Sequence, residues 1–356
     1  MCKCLHESKT HHAFPSPIPK HKPKPTAAAT AAAALGKILS LIYMNQHPSI
    51  KSILKKLGDD DLIEKLSGKI SSSEFQTLML EVFRRKSKNI SVADVVEAYK
   101  KNRFVQPAKM NAVDFGEFEN DILRAAEMDG FEPLLLSPLA PLGSCSVIAL
   151  ADQNKIVSSL RGTEVVADAT NMLALEYARR KKENSLQEKI THLCAAHRHT
   201  RAQVFNFEGF SPHFSIFCLA SAGKDEGNFN FEKITLKAHL QFYIDLLSSL
   251  EDVTEVVITL KSLEIPGKEN MLAQKVIDAI SDHFLDFDFV IEKVNASDHA
   301  YYQSLRFNIQ CRIKNEWLDI GDGGFVNWAA LLLNDHKQRM LTSAVGTERL
   351  FKTLAI

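Results

Sequence analysis

The sequence predicts an α+β fold, in which helices flank an antiparallel β-sheet and an appended helical bundle precedes it. The first indication is a hairpin over residues 197–223, whose returning strand alternates two sets of mostly apolar side chains from Phe214 to Ser221. The second is that helical segments stand between hairpins rather than alternating strictly with strands, which favours an antiparallel sheet with helices on one face. The third is the lack of G-x-G-x-x-G and G-x-x-x-x-G-K-[ST] motifs, which disfavours a doubly wound nucleotide-binding sheet.

The composition is typical of a soluble globular protein. The chain has 356 residues, of which 45% are hydrophobic and 24% charged, and a length of about 150 residues per domain allows two or three domains. Basic and acidic residues both number 43, so no net charge draws the chain to nucleic acid, and tRNA is not an expected partner. No run reaches the roughly 18 apolar residues that a membrane span requires, so no membrane association is expected.

The cysteines predict a reducing compartment. Six cysteines are scattered along the chain, and four of them lie inside apolar runs, which is typical of buried free thiols rather than of a disulfide framework. We therefore expect a cytoplasmic protein.

Residues 1–43 differ in composition from the rest. They are rich in Pro and Lys and end in an alanine run, and their few large apolar residues predict disorder. Two alternatives remain open: an organelle-targeting leader, or a translated upstream stretch with Met44 as the true start. A metal site is a weaker alternative, because the candidate ligands lack the paired spacing of structural zinc sites. These ligands are Cys2, Cys4, His6, His11 and His12.

Residues 44–105 are predicted to form a bundle of three or four short helices. Apolar residues share one helical face at 50–57 and again at 75–82. Charged residues in this region predict a solvated face, and binding of a protein partner is the alternative. Two capping-box spacings precede apolar periods: Ser71 with Glu74, and Ser91 with Asp94.

Residues 106–356 are predicted to form the α+β core. A helix over 115–126 stops at Gly130, and the chain continues as alternating hairpins and helices. The further predicted helices are 170–180, 231–250, 271–284 and 346–354. The predicted strands are 131–138, 147–150, 156–160, 190–196 (leading into the hairpin), 253–260, 287–293, 306–313 and 316–320.

Two arginines of the hairpin, Arg198 and Arg201, are the clearest candidates for ligand binding from residue chemistry alone. They would stand at the end of a sheet, where planar guanidinium groups match a phosphate or carboxylate bidentately. The alternative is that both are solvated or pair with local acids.

Six segments, taken in order, resemble the catalytic core of class II aminoacyl-tRNA synthetases. The resemblance runs from about Asn111 to the C-terminus and is greatest to the histidyl-tRNA synthetase-like branch, which includes the ATP phosphoribosyltransferase regulatory subunit. The segments are the helix, Gly130 and strand ending at Pro138; LRGTE at 160–164 with Thr170; HRHTRAQ at 197–203; DHAYY at 298–302; GDGGF at 321–325; and AVGTERL at 344–350.

The resemblance implies a sheet that binds ATP in a bent form, with Mg²⁺ as a further candidate cofactor. Arg198 would bind the α-phosphate and Arg349 the γ-phosphate, where fixed guanidinium groups stabilise developing charge. The segment near Pro138 would form a homodimer. The resemblance implies these cofactor-binding residues: Arg198, Arg201, Gln203, Glu348 and Arg349. It implies these ligand-binding residues: Arg161, Glu164, Thr170, Tyr301, Tyr302, Gly323 and Gly324.

The sequence departs from the histidine enzymes at several of these positions. Thr200 stands where the second motif has an acid, and Ala220 stands where the returning strand has one. Residues 325–327 are Phe-Val-Asn in place of Arg-Tyr-Asp, which removes polar partners for an imidazole ring. Ser297 replaces an arginine, and the chain ends just after the third motif, with no anticodon-binding domain following it. We therefore expect neither histidine specificity nor tRNA charging.

These features predict a free-standing paralogue of the synthetase core that binds a small amino-acid-like ligand, with or without ATP, in a regulatory or accessory role. The alternative is an adenylate-forming ligase that activates an amino acid for an acceptor other than tRNA.

Two other chemistries have weaker support. A zinc site would use the histidines near the hairpin, but His197 and His199 lie at strand spacing with Arg198 opposite, and no C-x-x-C or H-E-x-x-H motif is present. We therefore predict no metal site. A Ser or Cys nucleophile at 143–146 would need a nucleophile elbow, whereas small residues after Pro141 are typical of a tight turn. The further zinc candidates are His192, Cys194 and His213.

Overall fold

The structure is a computed structural model that describes residues 48–186, 188–203, 211–267, 269–298 and 301–355. The predictions for residues 1–43 and for Met44 fall outside the described residues. The chain divides into two compact units, with the boundary between Phe75 and Gln76. In the described part of the chain, no helix is long and apolar enough to cross a membrane.

Short helices make up the N-terminal region. Both predicted capping boxes form, because the side chains of Ser71 and Ser91 each accept the backbone N–H three residues on while the acidic partner accepts in return. None of these four helices has a buried residue. They are α1 (Pro48–Leu57), α2 (Leu62–Glu64, continued by a π-helical turn at Lys65–Lys69), α3 (Ser72–Ser87) and α4 (Val92–Lys101).

An eight-stranded sheet forms the centre of the second unit. Its strand order is β1-β4-β5-β10-β9-β8-β6-β7, and it is antiparallel except for the outer pairs β1/β4 and β6/β7. Strands β2 and β3 form a separate two-stranded sheet. The strands are β1 (Glu132–Pro133), β2 (Leu139–Pro141), β3 (Thr163–Val165), β4 (Ile190–Thr200), β5 (His213–Lys224), β6 (Val253–Glu264), β7 (Val290–Asn295), β8 (Tyr302–Ile313), β9 (Glu316–Val326) and β10 (Gln338–Val345).

Helices pack against both faces of this sheet, so the expectation of helices on one face is wrong. One core cluster contains residues of α5, α7, α8 and α10, and a second contains residues of α6 and α9. The physical reason is that both alternating sets of β5 are buried, so each face needs an apolar cover. The helices are α5 (Ala112–Met128), α6 (Ala169–Lys182), α7 (Asn230–Ser248), α8 (Met271–His283), α9 (Trp328–Leu333) and α10 (Thr347–Ala355).

The region between β2 and β3 differs most from the prediction. Residues 144–148 form a π-helical turn instead of a strand, and the strand predicted at 156–160 is reduced to isolated bridges. The carboxylate of Glu164 explains the turn, because it accepts the N–H groups of Gly143 and Cys145 at 2.9 and 3.1 Å. The strand predicted at 131–138 is reduced to Glu132–Pro133.

Candidate functional site

A cavity of about 670 Å³ is bordered by strands of the central sheet. Strands β5, β8, β9 and β10 supply its floor, and the starts of α6 and α10 supply parts of its wall. Its polar and aromatic lining residues include Asp168, Thr170, His199, Arg201, Phe214, Tyr301, Tyr302, Asp319, Asp322, Trp328, Glu348, Arg349 and Lys352.

Alternation along β4 decides which residues of the second-motif-like segment face this cavity. Leu193 and Ala195 pack in the core cluster beside α6, whereas Cys194 packs in the cluster of the opposite face. Odd-numbered residues therefore point to the α6 face. His199 and Arg201, which continue this odd-numbered set, line the cavity.

Arg201 is held at the cavity wall by a backbone contact and an aromatic ring. Its Nε donates to the carbonyl of Ala167 at 3.2 Å, and its guanidinium carbon lies 5.3 Å from the centre of the Phe214 ring. Among the residues that the structure describes, this arrangement leaves its two terminal nitrogens available for an anionic ligand.

Arg198 lies on the other face of the sheet and does not line the cavity. Its Nη2 is 2.9 Å from Oε2 of Glu348, and its Nη1 is 2.9 Å from Nδ1 of His213. Glu348 is buried and also pairs with Lys352 at 2.6 Å. Arg198 therefore reaches the cavity only through the Glu348 carboxylate, which does line it.

The third-motif-like segment contributes Arg349 to the cavity. Helix α10 begins at Thr347, directly after Gly346, and places Arg349 in its first turn. Nη1 of Arg349 donates to the carbonyl of Asp319 at 2.6 Å. The predicted helix start is confirmed within one residue, and the start of α10 forms a basic end of the cavity, because Lys352 also lines it.

The other end of the cavity is aromatic and acidic. The rings of Tyr301 and Tyr302 are 4.4 Å apart, and Tyr301 lies 5.7 Å from the ring of Trp328. Burial raises the pKa of Tyr301 to about 12, and Asp322 and Asp168 add to this shift. Burial also raises the pKa of the Asp322 carboxyl, while Arg306 and Tyr302 act in the opposite direction.

Thr170 lies at the start of α6 and orients an acid. Its backbone N–H and its hydroxyl both donate to Oδ1 of Asp168, at 3.0 and 2.6 Å. Asp168 is thus the N-cap of α6, and the same contacts hold its carboxylate at the cavity wall.

The remaining predicted residues do not line the cavity. Arg161 is exposed with a left-handed backbone (φ 66°), and Gln203 is exposed. Glu164 is buried, and besides Gly143 and Cys145 it accepts from Nε2 of Gln153 at 3.0 Å. Its observed contacts organise the π-helical turn.

Gly323 and Gly324 allow close packing beside the cavity. A Cβ on Gly323 would lie 2.5 Å from a ring atom of Phe307, and one on Gly324 would lie 2.6 Å from a ring atom of Tyr302. These glycines let the ring of Tyr302 approach the sheet.

Several lining residues were not predicted as site residues, among them Asp168, Asp322, Trp328 and Lys352. Asp168 had a signal in the sequence, because an acid two residues before Thr170 is in an N-cap position. Asp322 lies inside the GDGGF segment, and Trp328 and Lys352 lie just beyond predicted motifs, but none of the three carried a spacing that distinguished it. In the described part of the chain, no cluster of three or more His, Cys, Asp or Glu side chains is arranged to hold a metal ion.

Comparisons with known proteins identify the fold. No family model matches the sequence, and no curated protein matches it by sequence. Three solved structures are similar to the chain at 10–12% identity and TM-scores of 0.54–0.55. This similarity shows the fold of a class II aminoacyl-tRNA synthetase core, and it confirms the resemblance predicted from the motifs.

The three structures belong to the synthetase-like cores named in the motif analysis or to related enzymes. The first is histidyl-tRNA synthetase of S. aureus (12% identity, 71% of this chain and 69% of that one, TM-score 0.54). The second is an ATP phosphoribosyltransferase regulatory subunit/histidyl-tRNA synthetase of Bacillus halodurans (10% identity, 72% of this chain and 83% of that one, TM-score 0.55). The third is the RNA-binding domain of threonyl-tRNA synthetase of Cryptosporidium parvum (10% identity, 67% of this chain and 63% of that one, TM-score 0.54).

Proposed function

We propose that the cavity binds a small amino-acid-like ligand and that the protein acts as a regulatory or accessory relative of the synthetase core. The observation that carries the proposal is the meeting of both charge signs in one cavity: Arg201 lines the same cavity as Asp168 and Asp322. A zwitterionic ligand needs a cation for its carboxylate and an acid for its ammonium group.

The aromatic side chains give the cavity room for a ligand side chain. Tyr301, Tyr302 and Trp328 form a continuous set of rings beside Asp322. Pockets for small molecules combine such apolar walls with a few fixed polar groups. The identity of residues 325–327 removes the imidazole partners named above, so we do not propose histidine as the ligand.

ATP fits the described residues only in part. The arginine expected on the α-phosphate, Arg198, is paired with Glu348, and Lys352 is paired with the same carboxylate. A triphosphate near these cations would have to compete with Glu348. Amino-acid binding without ATP is therefore the simpler function of this cavity, and no step through Mg²⁺ is proposed.

One similar structure supports a regulatory or accessory role. The Bacillus halodurans protein is described as an ATP phosphoribosyltransferase regulatory subunit/histidyl-tRNA synthetase. We propose a cytoplasmic homodimer for this chain, and a protein partner that binds the N-terminal helices. Exposed apolar residues on these helices support the partner: Ile53, Leu57, Phe83, Val92 and Val95.

The second candidate is an adenylate-forming ligase. It is favoured by the position of Arg349, which lines the same cavity as Tyr301 and stands where the third motif has its γ-phosphate arginine. A ligase would use ATP to convert the amino-acid carboxylate to an adenylate and release pyrophosphate.

Ligand titration with the full chain separates the two functions. We expect one or more of the twenty L-amino acids to raise the Tm, with no further increase from ATP and Mg²⁺. Arg201→Ala should abolish this shift, whereas Arg124→Ala, an exposed arginine of α5, should leave it unchanged. If no amino acid raises the Tm of the wild-type chain, the proposal is wrong.

Pyrophosphate exchange tests the ligase directly. Exchange that depends on an amino acid and is lost in Arg349→Ala, but not in Arg124→Ala, would establish adenylation and replace the regulatory proposal. Sedimentation equilibrium of the same preparations measures whether the chain is a dimer, which the proposal expects.

A further inference from the structure

His199 is a buried histidine whose protonation is fixed by the backbone. Its side chain is 1% exposed, and its Nε2 lies 2.9 Å from the N–H of Ala169, which can only donate. Nε2 is therefore the acceptor, and the neutral ring carries its proton on Nδ1. Burial lowers the pKa of His199 well below its ordinary value, and Arg201 and His197 add to this shift, so the ring is neutral at physiological pH.

Two ring N–H groups in the cavity wall have no acceptor in the described part of the chain. They are the Nδ1–H of His199 and the Nε1–H of Trp328, a side chain that is also 1% exposed. Both residues line the cavity. Buried donors nearly always have a partner, and an unpaired donor destabilises the folded state. Two such donors on residues that line the same cavity indicate an acceptor that a bound molecule supplies.

Arg201 adds a charged donor to the same cavity. It lies two residues after His199, on the same face of the strand, and its Nε donates to Ala167. No carboxylate of the described residues forms an ion pair with it. A set that consists only of N–H donors, one of them a guanidinium, matches the oxygens of an anion.

We infer that His199, Trp328 and Arg201 together bind the carboxylate of the ligand and so fix its orientation. The inference rests on the proposed function for the class of ligand and adds which end of the ligand meets which wall. The ammonium group would then lie toward Asp168 and Asp322. Both ring nitrogens are buried, so the cavity wall must open locally for the carboxylate to reach them.

Nitrogen NMR of the full chain tests the donors one by one. Selectively ¹⁵N-labelled histidine and tryptophan should show His199 as the Nδ1–H tautomer. Titration with the L-amino acids should shift the His199 Nδ1–H and Trp328 Nε1–H resonances. The matching L-amino alcohols keep the ammonium group and lose the carboxylate, and they should bind roughly ten- to a hundred-fold more weakly.

Two substitutions remove one donor each. His199→Gln can still present a carbonyl oxygen to the Ala169 N–H but has no Nδ1–H, and Trp328→Phe removes the indole N–H. Each should weaken amino-acid binding by about ten-fold and weaken amino-alcohol binding by clearly less, because the amino alcohol lacks the carboxylate. Trp317→Phe is the matched control, because Trp317 is 48% exposed and lies outside the cavity, and it should change neither affinity.

The outcomes separate this inference from the proposed function. An Nε2–H tautomer at His199, or an amino acid that binds without shifting either resonance, overturns the inference and leaves the proposed function intact. If acetate shifts both resonances but no amino acid binds, the carboxylate site stands and the proposed function is wrong. If neither acetate nor any amino acid shifts them, the inference is wrong as well.

Discussion

Arg198 and Glu348 form an ion pair, with Nη2 of the arginine 2.9 Å from Oε2 of the carboxylate. This contact joins strand β4 to helix α10, which are the elements that carry the second-motif-like and third-motif-like segments. The buried Glu348 carboxylate also accepts from the backbone N–H of Ser215 at 3.3 Å and pairs with Lys352. One acid thus neutralises two cations, of which Lys352 lines the cavity and Arg198 does not.

Glu348→Gln should destabilise the protein. The substitution keeps the size of the side chain but leaves Arg198 and Lys352 without their counter-charge, which costs about 1–2 kcal/mol for a pair that is buried on one side only. The Tm should fall by about 2–6 °C in calorimetry. Glu183→Gln is the control, because Glu183 pairs with Arg179 at the surface and its loss should not change the Tm. Equal Tm values for both variants would show that the Arg198–Glu348 contact contributes no stability.

Asp322→Asn should stabilise the protein at neutral pH. Because burial raises the pKa of this carboxyl in the folded chain, the folded state binds its proton more tightly than the unfolded state does. The stability that this group contributes therefore falls as the pH rises from the ordinary pKa of 3.8 through the raised pKa of the folded state. The urea midpoint of Asp322→Asn, relative to wild type, should be higher at pH 7.5 than at pH 4.

Asp335→Asn is the control, because folding shifts the pKa of this carboxyl in the opposite direction. Hydrogen bonds from the side chain of Gln338 and the backbone of Lys337 lower the pKa of this exposed carboxyl. The contribution of Asp335 to stability is therefore present when the pH is above the ordinary pKa, and it is lost as the pH falls through the lowered pKa of the folded state. Asp335→Asn should lower the urea midpoint at pH 7.5, and the same direction of change in both variants would contradict the assignment for Asp322.

Gly323→Ala should strongly destabilise the sheet beneath the cavity. The new Cβ would lie 2.5 Å from both the Phe307 ring and Cβ of Ser343, so strand or ring must move. Overpacking of this kind costs about 1–3 kcal/mol, measurable by urea unfolding. Gly116→Ala, in the interior of α5 with nothing within 4 Å of its Cβ, should instead add up to about 1 kcal/mol. Tolerance of alanine at Gly323 would show that the two strands can separate there at little cost.

Arg103→Ala should loosen the end of strand β4. Arg103 donates from Nη2 to the carbonyl of Ala202 at 2.7 Å, next to the backbone bond from Arg201 N–H to the carbonyl of Pro212. Hydrogen exchange of the Arg201 and Ala202 amides should become faster, since local opening loses one anchoring contact. Unchanged exchange at both amides would show that Arg103 does not hold this end of the hairpin. Arg124→Ala provides the reference for an exposed arginine elsewhere.

Much of the fold could be predicted because its signals are local. Alternation in β5, the capping boxes at Ser71 and Ser91, and the start of α10 depend on residues a few positions apart. The π-helical turn at 144–148 could not be predicted in the same way. It depends on Glu164, which lies 19 residues beyond Cys145 in the chain and is brought beside the turn by the pairing of β2 with β3.

In the candidate site, local signals and distant contacts likewise decided different things about Arg198 and Arg201. Sequence alternation indicated that Arg198 lies opposite His197 and His199, but strand parity does not say which face carries a cavity. The packing of α6 against the odd-numbered residues of β4 decided it, and placed Arg201 rather than Arg198 in the cavity wall.

By itself, the sequence determined the fold class and the order of the motif-like segments, whereas the structure brought Thr170, Tyr301, Tyr302, Arg201, Glu348 and Arg349 to one cavity. Only the tertiary structure decided that Arg198 is paired with Glu348, that helices cover both faces of the sheet, and that His199 and Trp328 carry unpaired donors within the described residues. The physical reason is that local patterns fix each element and its two faces. Which groups become buried together, and whether each finds a partner, depends on contacts between elements far apart in the chain.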